Sequence, residues 1–294
     1  MNFNKRILKT GALAVAVTVA FAMFAYRLAE WSKGVSSEIV VLGQGNPCAT
    51  SSTGSVQSVK VIPQMALGSF DGGLTKYSTV IQIVNTSGAA QSITGNFYDE
   101  EGATLDNVPL TVGNSTITNG VLPATSIAKD AVLTVSGGGT AGAGTLGWGK
   151  ITACAGLSVS TFFELRNGSS NVLYSRVGVA ASPANMSSFL IPRIRELATG
   201  LDVGFALVNT GTQDATLKAE LKDTMGATIA TKDIVLGAGE HEATFTNQLF
   251  MGLDEPTGRN YQYLRFSSTS PTFAASAFAL EGPTQTSFPV DVLQ

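Results

Sequence analysis

The sequence predicts an all-β protein with two tandem antiparallel β-sandwiches, preceded by an N-terminal hydrophobic helix. Three observations lead to this fold class. Charged residues make up only 13% of the 294 residues and 32 residues are glycine, which is typical of many short strands joined by turns. Several segments alternate apolar and polar residues with a period of two. A stretch of the first half also recurs in the second half, which indicates that one β-unit is used twice.

The N-terminal segment, residues 1–31, has the pattern of an export signal. Lys5, Arg6 and Lys9 precede the uncharged apolar run "TGALAVAVTVAFAMFAY". Two outcomes stay open, because Ala20-Phe21-Ala22 resembles a cleavage site while the run is also just long enough to stay as a membrane anchor. Apolar residues beyond Ala22 favour the anchor. The basic flank predicts a cytoplasmic N-terminus, with the rest of the chain outside the inner membrane.

The two cysteines agree with export. Cys48 and Cys154 form an even pair in a chain expected in an oxidising compartment, so we predict one disulfide between them. Two separate buried thiols are the alternative. Two isolated cysteines and a lone histidine do not make a zinc site, so neither a metal nor a cofactor is expected.

The rest of the chain divides at small polar segments. Residues 32–59 are rich in serine and glycine and predict a linker. The first sandwich is expected over 60–180, a junction over 181–188 ("ASPANMSS"), and the second sandwich over 189–294. In "ATLKAELKD", inward Leu217, Ala219 and Leu221 alternate with polar residues, which indicates a half-buried strand.

The internal repeat is the firmest feature of the sequence. Residues 83–105, "IVNTSGAAQSITGNFYDEEGATL", align without a gap to residues 207–229, "LVNTGTQDATLKAELKDTMGATI", at an offset of 124. The shared Asn-Thr pair predicts a turn between strands, and the shared Asp-x-x-Gly predicts a second turn. The match extends outward from "VIPQM" to "LIPRI", from "LPATS" (122–126) to "LGAGE" (236–240), and from "WGKITACAGLSVSTFFE" to "YLRFSSTSPTFAASAFALE".

The second half carries a resemblance to a known repeat. "GFALVNTGTQDATLKAELKDTMGATI", "LGAGEHEATFTNQLFMGL" and "YLRFSSTSPTFAASAFALEG" resemble a tandem repeat of secreted and cell-surface proteins from environmental, acidobacteria-like bacteria. The match is best over 190–282 and covers 61–105 and 146–164 of the first half. The resemblance implies immunoglobulin-like or fibronectin-like sandwiches, a scaffold rather than a chemical activity.

A search for chemistry finds no convincing catalytic or metal-binding set. His241 in "GEHEATF" is expected at a solvated turn or strand end, and no G-x-S-x-G elbow surrounds any serine. Asp99-Glu100-Glu101 could hold calcium, but its repeat copy Asp223-Thr224-Met225 lacks two of the carboxylates. Asp71-Gly72-Gly73 predicts a turn. The run "SGGGTAGAGTLGWG" (136–149) is not followed by the residues of a phosphate loop, which favours a flexible or closely packed hairpin.

Five aromatic residues form the last candidate set: Tyr77, Tyr98, Trp148, Tyr261 and Tyr263. They could stack on sugars. However, Trp148 and Tyr263 fall at equivalent positions of the two repeats, which favours packing within or between sheets.

The sequence therefore favours a non-catalytic, exported structural or adhesive protein of the cell surface, periplasm or extracellular space, anchored in the inner membrane or secreted. The expected partners are the membrane, if the helix is uncleaved, and either other copies of the chain or extracellular polymers. A net charge of −3 with no basic face gives no sign of a nucleic-acid partner. Two alternatives remain: a subunit of an extracellular filament or pilus-like assembly, and a carbohydrate-binding module. Function is expected where the copies differ, in residues 113–149 and the N-terminal segment.

Overall fold

The computed structural model describes residues 58–138, 144–154, 156–253, 258–281 and 284–293. Within these ranges the chain is all-β and its strands pair antiparallel, as the sequence predicts. A four-residue helix, α1 (Thr246–Leu249), is the one α-helix of the described part. No helix there is long and apolar enough to cross a membrane. The predicted N-terminal helix, the linker up to residue 57 and Cys48 lie outside the described residues.

The first half of the chain contains ten strands and a 3-10 turn, Asp71–Gly73, at the predicted Asp-Gly-Gly site. The strands are β1 Ser58–Phe70, β2 Thr75–Asn85, β3 Gln91–Asp99, β4 Asp106–Val112, β5 Ser115–Asn119, β6 Val121–Ile127, β7 Val132–Gly138, β8 Thr145–Ala153, β9 Leu157–Asn167 and β10 Leu173–Ala180.

These ten strands form a β-sandwich. One sheet has the order β1-β8-β3-β6. In the other sheet β2 lies between β9 and β7, β10 pairs with the far edge of β9, and β4 and β5 extend beyond β7. The end of β1 crosses from the first sheet to pair with β2, and this change begins at Gly68, whose φ is 93°. Side chains of both sheets, such as Ile62, Phe97, Ile81 and Val135, meet in one buried core.

The second half contains nine strands in two further sheets. They are β11 Ser188–Arg195, β12 Asp202–Asn209, β13 Ala215–Lys222, β14 Thr228–Leu236, β15 His241–Phe245, β16 Asn260–Ser267, β17 Phe273–Glu281, β18 Thr284–Phe288 and β19 Asp291–Val292. The sheet orders are β14-β13-β16-β11-β19 and β15-β12-β17-β18. Phe189, Phe205, Leu217 and Phe266 join the two sheets in one core, which makes a second sandwich.

The two sandwiches have the same strand order. Strands β1-β8-β3-β6 correspond to β11-β16-β13-β14, and β7-β2-β9-β10 correspond to β15-β12-β17-β18. The hairpin of β4 and β5 has no counterpart in the described part of the second sandwich. Among the described strands no named pairing joins β1–β10 to β11–β19. The repeat in the sequence is therefore a repeat of topology.

Two details of the sequence interpretation are wrong. Residues 122–126 lie in β6, which corresponds to β14, and not to residues 236–240 at the following turn. The glycine-rich run does not make a hairpin, because β7 pairs with β2 and β4 whereas β8 pairs with β1 and β3. Its strand glycines are closely packed as expected: a Cβ on Gly147 would lie 2.1 Å from the Tyr98 carbonyl oxygen.

Candidate functional site

The two repeated asparagines occupy the same buried position in each sandwich. Nδ2 of Asn85 donates to the carbonyl oxygens of Ala89, Ile127 and Ala128, at 2.8 to 3.1 Å. Nδ2 of Asn209 donates to those of Gln213, Leu236 and Gly237, at 2.8 to 3.0 Å. In both turns the side-chain oxygen accepts the backbone N–H two residues on. The two repeated asparagines therefore stabilise the same turn in each sandwich.

The repeated aspartates are also structural. Asp99 Oδ1 accepts the N–H of Ala103, and Asp223 Oδ1 accepts those of Met225 and Ala227. Gly102 and Gly226 end these turns with φ values of 82° and 83°, as the predicted turns require. Within the described ranges no group of three or more histidine, cysteine, aspartate or glutamate side chains is placed to hold a metal ion.

One of these turns lies at the contact between the sandwiches. A Cβ on Gly102 would lie 2.7 Å from the carbonyl carbon and oxygen of Gly239, so the two backbones touch. The Glu100 carbonyl accepts the backbone N–H of His241 at 2.8 Å. Trp148 Nε1 donates to the Gly239 carbonyl, also at 2.8 Å. The first sandwich therefore binds the turn that leads into β15 through two hydrogen bonds and a close backbone contact.

Apolar residues surround these polar contacts. Val61 and Trp148 of the first sandwich form a buried cluster with Val208 and Ala274 of the second. A larger cluster brings together Phe245, Phe278 and Leu280 of the second sandwich and residues of the first, namely Ala66, Tyr77, Phe163, Leu165, Val177 and Val179. Because β12 is covered on one side by its own core and on the other by the first sandwich, all of its residues are buried.

His241 is buried in this interface, and the expectation of a solvated site is wrong. It begins β15, as expected for a strand end, but only 4% of its surface is exposed. Nε2 lies 2.8 Å from Oε1 of Gln64 in β1. Gln64 Nε2 donates to the Met65 carbonyl, so its oxygen faces the imidazole and Nε2 of His241 is the donor. Burial lowers the pKa of His241 to about 4, which keeps the ring neutral.

The five candidate aromatics are not brought together on one exposed face. Tyr77 and Trp148 are buried, Tyr98 stacks on Trp148 with ring centroids 4.3 Å apart, and Tyr261 is 54% exposed. Trp148 in β8 pairs with Tyr98 in β3. Tyr263 in β16 pairs with Lys222 in β13, the repeat equivalent of Tyr98, so Trp148 and Tyr263 are equivalent, as expected. Packing therefore explains Tyr77, Tyr98 and Trp148.

Sequence reasoning missed two buried ion clusters. In the second sandwich Asp202 lies 3.6 Å from Arg193 Nε and 3.1 Å from Arg195 Nη1, and it also accepts the N–H groups of Val203 and Asn247. Burial raises the pKa of Asp202, and both guanidinium groups oppose that shift. The period-two pattern of "LIPRI" placed Arg193 on the inward side, which was the available signal.

The second cluster lies in the first sandwich. Glu164 accepts hydrogen bonds from Ser78, Arg166 and Arg176 across β2, β9 and β10. Burial lowers the pKa of Arg176 to about 10, opposed by the Glu164 charge. Since each carboxylate is held by two guanidinium groups, these clusters have the character of structural ion pairs.

A cleft of about 370 Å³ lies where the junction meets β10, β17 and β18. The side chains that line it are small or apolar, and the largest are those of Met186 and Phe288. Ser182, Ser276 and Ser287 supply hydroxyl groups. Its size is that of a small ligand pocket, but no ionisable side chain lines it. The cleft therefore lacks a general acid or base.

Comparisons with known proteins do not assign the chain. No family model and no curated protein matches it. Among solved structures it is similar to a lectin from Pleurotus ostreatus: the GalNAc complex has 8% identity and a TM-score of 0.18, covering 82% of this chain and 85% of that one. The apo form of the lectin has 9% identity and a TM-score of 0.15, covering 88% of this chain and 81% of that one. TM-scores this low carry no argument about fold or ligand.

Proposed function

We propose that this chain is a non-catalytic, exported structural or adhesive protein whose two immunoglobulin-like sandwiches stand outside the inner membrane. The observation that supports a structural role is how the repeated polar residues are used. Asn85, Asn209, Asp99 and Asp223 all bind backbone groups of their own sandwich. Duplication has therefore kept residues that hold turns and strands.

Burial of the titratable groups supports the same conclusion. His241 is neutral, enclosed between the sandwiches and bonded to Gln64. Asp202 and Glu164 are each paired with arginines. A general acid or base must reach its substrate, so these groups are poor candidates for catalysis.

Export is part of the proposal and rests on the N-terminal sequence. Lys5, Arg6 and Lys9 before the apolar run favour a cytoplasmic N-terminus, which leaves the sandwiches outside the inner membrane, and the apolar residues beyond Ala22 favour an anchor. The test is fractionation of cells followed by determination of the N-terminus of the protein. Met1 intact in the membrane fraction is expected for the anchor, and a new N-terminus near residue 23 for cleavage.

Surface labelling distinguishes this placement from a cytoplasmic protein. A thiol-reactive reagent that does not cross the inner membrane should modify a Val172→Cys variant in spheroplasts, because Val172 is 51% exposed. The unsubstituted chain, treated in parallel, is the control. Protection of the variant until the membrane is dissolved would contradict export.

A further inference from the structure

The contact between the sandwiches joins two different surfaces. We call the outward side of β12 and β17 the donor face; it presents Val208, Ala274 and Phe278 to the first sandwich. We call the surface around Val61, Trp148 and the turn at Gly102, which receives Val208 and Ala274, the acceptor face; Phe278 packs beside it in the larger cluster. Because the second sandwich contributes its donor face and the first its acceptor face, the contact is heterologous, or head-to-tail.

The first sandwich carries its own donor face, which the described part of the chain covers less completely. Strand register makes Val80, Val84 and Phe162 equivalent to Gly204, Val208 and Phe278, since Val84 pairs with Ser158 as Val208 pairs with Ala274. The second-sandwich residues are buried, whereas Val80, Val84 and Phe162 are half-buried and Ser158 is exposed. This face therefore keeps apolar residues that the described part of the chain covers only in part, whereas their counterparts in the second sandwich are enclosed.

The second sandwich likewise carries an acceptor face that the described residues cover less completely than that of the first sandwich. Leu190 is equivalent to Val61, because Leu190 pairs with Arg265 as Val61 pairs with Lys150. Tyr263 is equivalent to Trp148, and Gly226 to Gly102. Leu190 and Tyr263 are half-buried, whereas Val61 and Trp148 are buried. A Cβ on Gly226 would meet only the Tyr263 hydroxyl within 4 Å, so this turn is open.

We propose that a second copy of this chain fills these surfaces: the acceptor face of one second sandwich binds the donor face of another chain's first sandwich. The contact would repeat between chains the arrangement that already exists within the chain. Since each chain keeps one free face of each kind, chains add head to tail, which gives a linear array unless the rotation between successive chains closes a ring.

The backbone contacts of the existing interface can form again in this arrangement. Val132 is equivalent to His241, because Val132 pairs with Val84 as His241 pairs with Val208. In the existing interface the His241 N–H donates to the Glu100 carbonyl. In the proposed contact the Val132 N–H would donate to the carbonyl of Thr224, the residue equivalent to Glu100. Asp130 replaces Gly239 and keeps its left-handed backbone, with φ of 60° against 78°. The Tyr263 hydroxyl replaces the Trp148 indole as the donor to that carbonyl.

The differences between the two sandwiches determine how strongly the proposed contact between chains is expected to bind. Gln82 replaces Ala206 and Ser158 replaces Ala274 on the donor face, and Glu164 with its arginines replaces Leu280. On the acceptor face Lys222 replaces Tyr98. A more polar contact between separate chains also has to overcome the entropy of association. We therefore infer reversible association that is weaker than the interface within the chain.

The inference extends the proposed structural role but does not need export. Cross-linking of the full chain in detergent micelles tests the predicted pairing. Chains with Val84→Cys, mixed with chains with Leu190→Cys and treated with a short bifunctional thiol reagent, should give dimers, while each variant alone gives no more product than the unsubstituted chain with its native Cys48 and Cys154. The double variant should give a ladder of products.

Two results would overturn the inference. Dimers from Val84→Cys chains alone would show that like faces meet in a closed contact. A double variant that gives no product larger than a single chain would show that the faces do not meet between chains. A monomeric protein found outside the membrane would contradict this inference and leave the proposed export intact. Arrays formed by a cytoplasmic protein would support this inference and contradict the proposed export.

A matched pair of substitutions checks the surface by sedimentation velocity. Val84→Lys places a charge in the middle of the donor face and should weaken association by about tenfold or more, because the ammonium group would be buried on binding. Val172→Lys, at the exposed turn between β9 and β10, should leave it unchanged. Circular dichroism verifies that both variants fold. Equal association of both variants would contradict the assigned face.

Discussion

Asn85 and Asn209 are 124 residues apart and do the same work: each ends the central strand of a sheet, is fully buried, and donates from Nδ2 to three backbone carbonyls. An unpaired carbonyl in a protein interior is costly, so each amide satisfies several groups at once. This explains why both copies of the repeat contain asparagine here.

Replacing either asparagine should therefore destabilise its own sandwich. We expect Asn85→Ala or Asn209→Ala to lower the free energy of unfolding by about 3 kcal/mol, because three carbonyls lose the two N–H donors that they share. Asn→Asp keeps the acceptor, loses the donors and should cost at least as much. Urea titration followed by circular dichroism measures the loss. Thr86→Ala, at the exposed neighbour of Asn85, is the control, and a loss as large there would argue against this explanation.

The two turn glycines allow the contact between the sandwiches to be separated from backbone strain. Gly102→Ala and Gly226→Ala both place a side chain at positive φ, at a cost of about 1 kcal/mol. Only the Cβ at Gly102 would collide with the Gly239 backbone. We expect Gly102→Ala to lose roughly 1–3 kcal/mol more than Gly226→Ala in urea unfolding. Equal losses would mean that the sandwiches do not touch at this turn.

Trp148 provides a second test of the interface. Trp148→Phe removes the donor to the Gly239 carbonyl and leaves that oxygen unpaired, so we expect a loss of about 1–2 kcal/mol. Tyr263→Phe is the matched control, because Tyr263 occupies the equivalent position and faces solvent in a single chain. Both variants are compared by urea titration at a concentration where the protein is monomeric. A larger loss for Tyr263→Phe would contradict this role for Trp148.

The features that the sequence predicts correctly are local. The alternation in "ATLKAELKD" and the Asp-x-x-Gly turns depend on residues within a few positions of one another, and the structure confirms both. The burial of His241 depends on Gln64, 177 residues away, and on the packing of one sandwich against the other. Arg193 can be buried because Asp202 and Gln262, which come from other strands, pair with its guanidinium group. A pattern along the chain carries no information on such contacts.

The Asp202 cluster should be sensitive to loss of the carboxylate. Asp202→Ala leaves the fully buried guanidinium of Arg193 without its acidic partner, and we expect a loss of about 3–5 kcal/mol in the free energy of unfolding. Lys129→Ala is the control, because the Lys129–Asp130 pair is exposed and should contribute less than about 0.5 kcal/mol. Differential scanning calorimetry measures both. A small effect of Asp202→Ala would mean that water reaches Arg193.

The buried imidazole predicts a specific dependence of stability on pH. Burial lowers the pKa of His241 to about 4 in the folded protein, so the unfolded chain takes up the proton more readily. The neutral ring therefore stabilises the fold fully above pH about 6.5, and roughly 3 kcal/mol of that is lost as the pH falls to 4. His241→Gln cannot titrate, so urea titrations between pH 7.5 and 4 should show a smaller loss for the variant. Parallel losses would place His241 in contact with water.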